Sequence, residues 1–360
     1  MCTCTTAVES PNITGSAFAE RMLKAVNDGT LMLMVSIGHR TDLFDKLADL
    51  PAATSDQIAE HTGLNERYVR EWLGAMVTSG IMVYHPGTRQ YHLPKEHAEC
   101  LTRAAGPNNI ASIAQWVAVL GAVEDEVTDA FTHGRGVPYS SYKRFHEVMA
   151  SESATTVVGA LDEHILPLIP GIEAKLEQGL NVADVGCGSG LALMHMAERF
   201  PESNFTGLDF SAEAISHARG IAEKRGLRNV QFHVQDAAKW QPTEELDLVF
   251  TFDAIHDQAR PDIVLENIRR AIRPGGVYLM QDIGASSHVQ HNTEHPLGPM
   301  LYTISCMHCM SVSLAHDGMG LGAVWGKETA LEMLAAAGFA SVDLKQLEHD
   351  ILNYYYVCQC

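Results

Sequence analysis

The spacing of apolar positions changes several times along this chain, and each change marks an element. Residues 182–185, Val-Ala-Asp-Val, make a short apolar run of strand length, which breaks at three alternating glycines, Gly186, Gly188 and Gly190. Over 191–200 the pattern then becomes helical. An earlier stretch, 54–80, reads as a short helix, a glycine turn at Gly63 and a longer helix with Val69, Leu73 and Val77 on one face. That spacing predicts a helix-turn-helix. Residues 81–84 and 91–93, on either side of Pro86-Gly87, predict a two-stranded wing after it. From 109 to 131 the chain is periodic and apolar, and it then runs into the breaker-rich segment 132–142. A second apolar stretch covers 297–315. These shifts predict a winged-helix-like accessory domain over 1–105, a helical connector over 106–165 and an α/β domain over 166–360 with an insertion at 284–326.

A strand that enters a glycine-rich turn and leaves as a helix is a nucleotide-binding device. Bare backbone lets a ligand approach, and the helix start offers free N–H groups. The third glycine comes one residue too early for a dinucleotide fingerprint, and Leu191 stands where that fingerprint needs glycine. Asp184, two residues before the turn, adds a carboxylate that suits a ligand with an ammonium group and no pyrophosphate. S-adenosylmethionine meets both conditions.

On these residues the segment resembles motif I of the class I S-adenosylmethionine-dependent methyltransferases, and later segments extend the likeness. A strand over 204–209 ends in Gly-Leu-Asp-Phe, placing Asp209 nineteen residues after Gly190, where the family's acidic residue accepts the ribose hydroxyls. Strand 230–235 leads into Asp236-Ala237, the expected adenine contact, and strand 247–252 into Asp253-Ala-Ile-His256-Asp257. Arg273-Pro-Gly-Gly276 turns into strand 277–283, and 341–347 with 351–359 fit the closing antiparallel hairpin. The resemblance implies a Rossmann-like seven-stranded sheet with an N-terminal winged helix. It assigns the cofactor to Asp184, Gly186, Cys187, Gly188, Gly190, Asp209, Phe210, Asp236, Ala237 and Asp253. Cys187 reads as a small space-filler in that set. The winged-helix group that the plan resembles includes thiol methyltransferases and small-molecule enzymes that pair as homodimers.

Charge decides between two readings of the amino-terminal domain. The chain carries a net −19, with a sequence pI near 5.3, and the recognition segment 65–78 balances Glu66 and Glu71 against Arg67 and Arg70. A DNA-binding face needs clustered Lys and Arg, so an accessory and dimerisation role is expected, with no nucleic-acid partner. The first residues lack the basic start and apolar run of a secretory signal, and no apolar run is long enough to span a bilayer. A cytoplasmic protein with reduced cysteines is the expectation. Eight cysteines include the pairs Cys2/Cys4, Cys306/Cys309 and Cys358/Cys360, but with one C-x-x-C among them apolar packing is preferred to a metal site.

Transfer of a methyl group from a sulfonium is an in-line displacement, so alignment and exclusion of water are the main needs, with a base where the nucleophile carries a proton. His256, paired with Asp257, resembles the catalytic histidine of winged-helix O-methyltransferases of phenols, although Gln258 and Ala259 depart from those enzymes' usual Trp and Ser. A helix-capping histidine is the alternative. Tyr139, Tyr142, Phe145 and His146 follow the connector's breakers and are candidates for the acceptor wall, or else for interdomain packing. Insertions after a strand's carboxyl end lie on the ligand side, so the Met- and Cys-rich insertion is expected to line a compact, polarisable pocket. Sulfide or a small thiol is therefore the first expectation for the small-molecule acceptor, with a phenolic or carboxylic oxygen second. A winged-helix regulator that senses the methyl donor is the contrasting class.

Overall fold

The computed structural model describes residues 14–242, 245–348 and 350–360, so the Cys2/Cys4 pair lies outside the described residues. The chain forms two compact units that part between Gly121 and Ala122. The segment expected as a connector is shared between them.

In the first unit, Thr54 and Gln57 close a capping box over the helix Ser55–Thr62, and Gly63 in the left-handed conformation ends it. Asn65 caps the next helix, Glu66–Thr78, and the wing follows as β1 (Val83–His85) paired with β2 (Gln90–His92). The expected helix-turn-helix and wing are both present. Val69 and Leu73 are buried as the pattern requires, while Trp72 and Met76 carry more of the core than Val77 does. Trp72 packs edge-on to Phe44 at 5.3 Å and donates its indole N–H to the Met34 carbonyl at 2.9 Å. The periodic stretch from 109 is three helices, Ile110–Ile113, Gln115–Gly121 and Glu124–His133, and the division between the units falls after the second.

The second unit is built on β3 (Asn181–Val185), β4 (Asn204–Asp209), β5 (Val230–Val234), β6 (Leu246–Phe252), β7 (Ile272–Ile283), β8 (Ser341–Lys345) and β9 (Asn353–Gln359). They form one seven-stranded sheet in the order β5-β4-β3-β6-β7-β9-β8. All neighbours run parallel except β9, which is antiparallel to β7 and β8 and completes the expected hairpin. Strand β7 begins earlier than its apolar run, because Ile272 already pairs with Leu246 and the Arg273–Gly276 turn bulges before pairing resumes at Val277.

Both faces of the sheet are covered, which is why its central strands are continuous apolar runs. Helices Ile172–Gln178, Leu191–Arg199 and Ala212–Arg225 bury Leu176, Leu193, Met196 and Ile215 on one face. Helices Pro261–Ala271 and Gly326–Ala336 bury Val264, Ile268 and Leu334 on the other. The chain changes faces between β3 and β6, so the carboxyl ends of these two strands diverge into a crevice.

One tight approach in the first unit gives a test of its packing. A Cβ on Gly38 would lie 2.6 Å from the Phe44 ring and 2.7 Å from the Trp72 ring. Gly38→Ala should therefore cost about 1–3 kcal/mol of stability. Urea denaturation of the full chain measures this, and an unchanged midpoint would contradict the close packing.

Candidate active site

The turn after β3 is held from beneath by β4. Leu208 accepts hydrogen bonds from the Gly186 and Cys187 N–H groups at 2.7 and 3.0 Å, and Asp209 Oδ2 accepts from Gly188 N at 2.9 Å. Gly186 and Gly190 have φ of +85° and +69°, and a Cβ there would meet Ala254 at 2.5 Å and the Phe232 ring at 2.2 Å. These two glycines therefore serve the fold as much as a ligand. At Gly188 a Cβ would meet nothing, so this residue presents open backbone. Cys187 is half-buried against the core, with its thiol pKa pushed well up by burial and by Asp184 and Asp209.

Two acidic residues lie under and beside the turn. Asp184 is buried on β3 with Oδ1 lacking a hydrogen-bond partner, and burial together with Asp209 raises its pKa to about 8. Asp209 Oδ1 accepts from Ser211 N at 2.8 Å, so both of its oxygens are fixed by backbone donors.

Beyond β6 a buried polar chain crosses three segments. Asp282, at the end of β7, accepts through Oδ1 from His256 Nδ1 at 2.6 Å, from the Trp325 indole at 3.0 Å and from Ile283 N at 2.8 Å. On its other side His256 sets Nε2 3.2 Å from Asp257 Oδ1, while Asp257 Oδ2 accepts from the Tyr139 hydroxyl at 3.0 Å. Burial opposes a charge on His256, but the Asp282 and Asp257 carboxylates prevail and hold its pKa well above that of an ordinary imidazole. Asp253 adopts φ +50° at the end of β6, and burial and then Asp282 push its pKa well above the carboxylate range. A cleft of about 710 Å³, open mouth included, lies at these strand ends, lined by Tyr139, His146, Gly188, Asp209, Asp253 and Asp257 among others. A further hollow, lined by Gly179, Asn181, Asp247 and Arg273, sits at the opposite end of the sheet, away from the glycine turn.

Residues 29–103 match the family described as the Rv2258c-like winged HTH domain, and residues 176–338 match the family described as Methyltransferase domain. The carboxy-terminal unit contains a methyltransferase domain. Among curated relatives, the fatty-acid O-methyltransferase of Mycolicibacterium smegmatis is 33% identical over 29% of this chain and 38% of its own length. The trans-aconitate 2-methyltransferase of an Acidovorax species is 28% identical over 43% of this chain and 55% of its own length. The chain thus spans about half or less of these relatives. In fold it is similar to an O-methyltransferase family protein from Burkholderia thailandensis, with TM-score 0.68, 14% identity and coverage of 96% of this chain and 98% of that one. It is also similar to human N-acetylserotonin methyltransferase solved in complex with SAM, with TM-score 0.65, 17% identity and coverage of 98% and 99%.

Within the methyltransferase domain, several expected site residues stand apart from the cleft. Asp236 caps the short helix Ala237–Lys239 and pairs with exposed Lys239, while its neighbour Gln235 lines the cleft with Ala237 and Phe210. Tyr142 is buried and donates its hydroxyl to the Met307 carbonyl at 2.5 Å, so it anchors the insertion rather than the acceptor. His256 is enclosed by carboxylates behind the cleft, and neither nitrogen is open to it. It does not cap the next helix either, whose N-cap is Arg260. Among the described residues no insertion side chain lines the cleft. The insertion backs it instead: His308 stacks on Phe145 at 4.2 Å, and burial lowers its pKa to about 4. Phe252, Ala254, Met149 and Gln258 line the cleft and were not anticipated. The end of the β6 run and the residues flanking Asp253 and Asp257 carried that signal for three of them.

The buried aspartate makes stability depend on pH. Asp184 keeps its proton to about pH 8 in the fold, whereas an unfolded aspartate loses it near about pH 3.9. Between those values the native state binds the extra proton, so the contribution is full below the lower value and is lost as pH rises to the upper one. The slope reaches ~1.4 kcal/mol per pH unit for one proton. Asp184→Asn should flatten this decline in ligand-free protein, as measured by urea denaturation at successive pH values. A slope equal to that of the parent would contradict it.

Proposed function

We propose that this protein is an S-adenosylmethionine-dependent methyltransferase of a small, uncharged acceptor. The observation that carries the reading is the glycine turn with its two carboxylates, Asp184 and Asp209, at the switch point of a methyltransferase-domain sheet. Asp184 suits the donor's ammonium group, either through the turn's amides or through water, and Asp209 suits the ribose hydroxyls. Phe210, Gln235 and Ala237 form the wall beyond them, where an adenine ring would lie.

Charge at the cleft selects the acceptor. Its lining includes Asp209, Asp253 and Asp257 but neither Lys nor Arg, so an acceptor with carboxylates would find no counter-charge. The preference for sulfur rested on an insertion lining the pocket, and the insertion lies behind it. The reading favoured here is an uncharged hydroxyl or phenol. Tyr139, His146 and Asp257 surround the acceptor end, with 122–165 as its cover and Asp257 placed to take the proton as the S–CH3 bond breaks and the O–CH3 bond forms. S-adenosylhomocysteine is then the leaving group. His256 acts through Asp257 as a positioning residue.

The winged HTH domain fits pairing with a second copy of the chain better than it fits DNA. Arg67 and Arg70 pair with Glu71 and Glu66 on their own helix, which leaves no cationic face there. The helix Gly15–Arg40 exposes Phe18, Met22, Val26, Leu33 and Ile37, spaced by four or seven residues and so sharing one side. Among the described residues no helix is long and apolar enough to cross a membrane.

Asp209→Ala should weaken S-adenosylmethionine binding at least tenfold, about 1.4 kcal/mol, in calorimetry. Equal affinity, or a preference of the parent for NAD, would end this reading. For the acceptor, S-adenosylhomocysteine release should occur with neutral phenols or alcohols and fall at least tenfold in Tyr139→Phe, while turnover confined to carboxylates or thiols would contradict the charge argument. Sedimentation should find a dimer that Val26→Glu converts to monomer. A monomeric parent, or salt-sensitive binding of a specific duplex, would favour the regulator instead.

A further inference from the structure

A second set of groups meets behind the cleft, drawn from parts of the chain some fifty residues apart. One ligand atom each of His256, Asp257 and Cys309 lies within 4.8 Å of the other two, and His256 Nε2 and Asp257 Oδ1 are 3.2 Å apart. His256 and Cys309 are buried, and Asp257 is nearly so. Asp257 Oδ1 has no hydrogen-bond partner despite its burial. We propose that His256, Asp257 and Cys309 form a binding site for one divalent transition-metal ion of the zinc type.

Ligand chemistry and the surrounding shell both support this site. A thiolate, an imidazole nitrogen and a carboxylate oxygen form a mixed set that suits zinc, and three protein ligands with one open position are usual where zinc meets a cleft. Metal-bound histidines give their other nitrogen to a carboxylate, which fixes the ring. Asp282 does this to His256 Nδ1 at 2.6 Å, and the Trp325 indole in turn holds Asp282 at 3.0 Å. On the carboxylate ligand, Oδ2 is held by Tyr139 at 3.0 Å, which leaves Oδ1 for the ion. Tetrahedral ligands at zinc distances stand about 3.3–3.7 Å apart, so closing round an ion needs movement on the order of an ångström.

Asp257 alone of the three ligands also lines the cleft, so the fourth coordination position opens on that side.

Cobalt(II) is the probe, added to full-length protein first stripped with a chelator. One equivalent should give the visible bands of tetrahedral cobalt and a near-ultraviolet thiolate-to-cobalt band, both displaced by zinc. Cys309→Ala should lose the thiolate band. Cys306→Ala, whose sulfur lies outside the cluster, should keep it. Parent protein without a thiolate band, or a band that survives in Cys309→Ala, overturns the site. Asp257→Asn gives a second check should Cys309→Ala fail to fold, because it should weaken cobalt binding at least tenfold, and unchanged affinity overturns the assignment. S-adenosylmethionine binding to the stripped protein, followed by calorimetry, tests the methyltransferase reading separately.

Discussion

A carboxylate shut away from water must have its charge balanced within the protein, and Asp282 is so placed at the centre of the second unit. It is fully buried at the end of β7, and one of its oxygens gathers three donors, from the loop after β6, from the insertion and from its own strand. Through His256 and Asp257 the same chain of charges reaches Tyr139, more than a hundred residues earlier. Removing one partner from such a buried set strands the others, which costs about 3–5 kcal/mol. Segments that share no hydrophobic periodicity are thus tied to one point, and that point sits beside the cleft.

The sheet makes this arrangement possible. Parallel strands put all their carboxyl ends on one side, and the reversal of crossover between β3 and β6 opens that side into a crevice. The glycine turn follows β3, Asp209 ends β4, and Asp253 follows β6 with its amide held by the Gln281 carbonyl of β7 at 3.0 Å. Three acidic residues from the ends of two strands, Asp209 after β4 and Asp253 and Asp257 after β6, converge with neither Lys nor Arg among the lining residues. Such a lining disfavours anionic groups more than neutral or cationic ones.

Local pattern was legible wherever local forces decide structure. The strand–glycine–helix sequence, the glycine turn at Gly63 and the apolar strand runs each specify their element within a few residues, and all were readable from the chain alone. Residues placed by long-range contact were not. Asp282 looks in sequence like the polar end of a strand, and nothing near it announces His256 as its partner. Tyr142 and Tyr139 stand three residues apart with the same chemistry, yet one bonds a backbone carbonyl and the other a carboxylate at the cleft. The cysteine spacing is silent for a related reason: Cys309 meets His256 and Asp257 in space, while its neighbour in sequence, Cys306, is not among them.

The five residues Ser305–Cys309 form a π-helical turn between the α-helices Gly298–Ile304 and Met310–Ala315. Such a turn carries one residue more than the α-helix it interrupts, and each residue of an α-helix advances the facing by about 100°. Within the turn each residue advances the facing by less, so the added residue is absorbed there and the flanking helices keep about the phase of one regular helix. Ser311, whose hydroxyl accepts from Val137 N at 2.9 Å, therefore fastens the 122–165 segment in the facing that an uninterrupted helix one residue shorter would also give. The consequence of the turn is local: related chains one residue shorter at this place would grip the rest of the unit in the same way and differ at the back wall beside Cys309, where the turn now widens the helix.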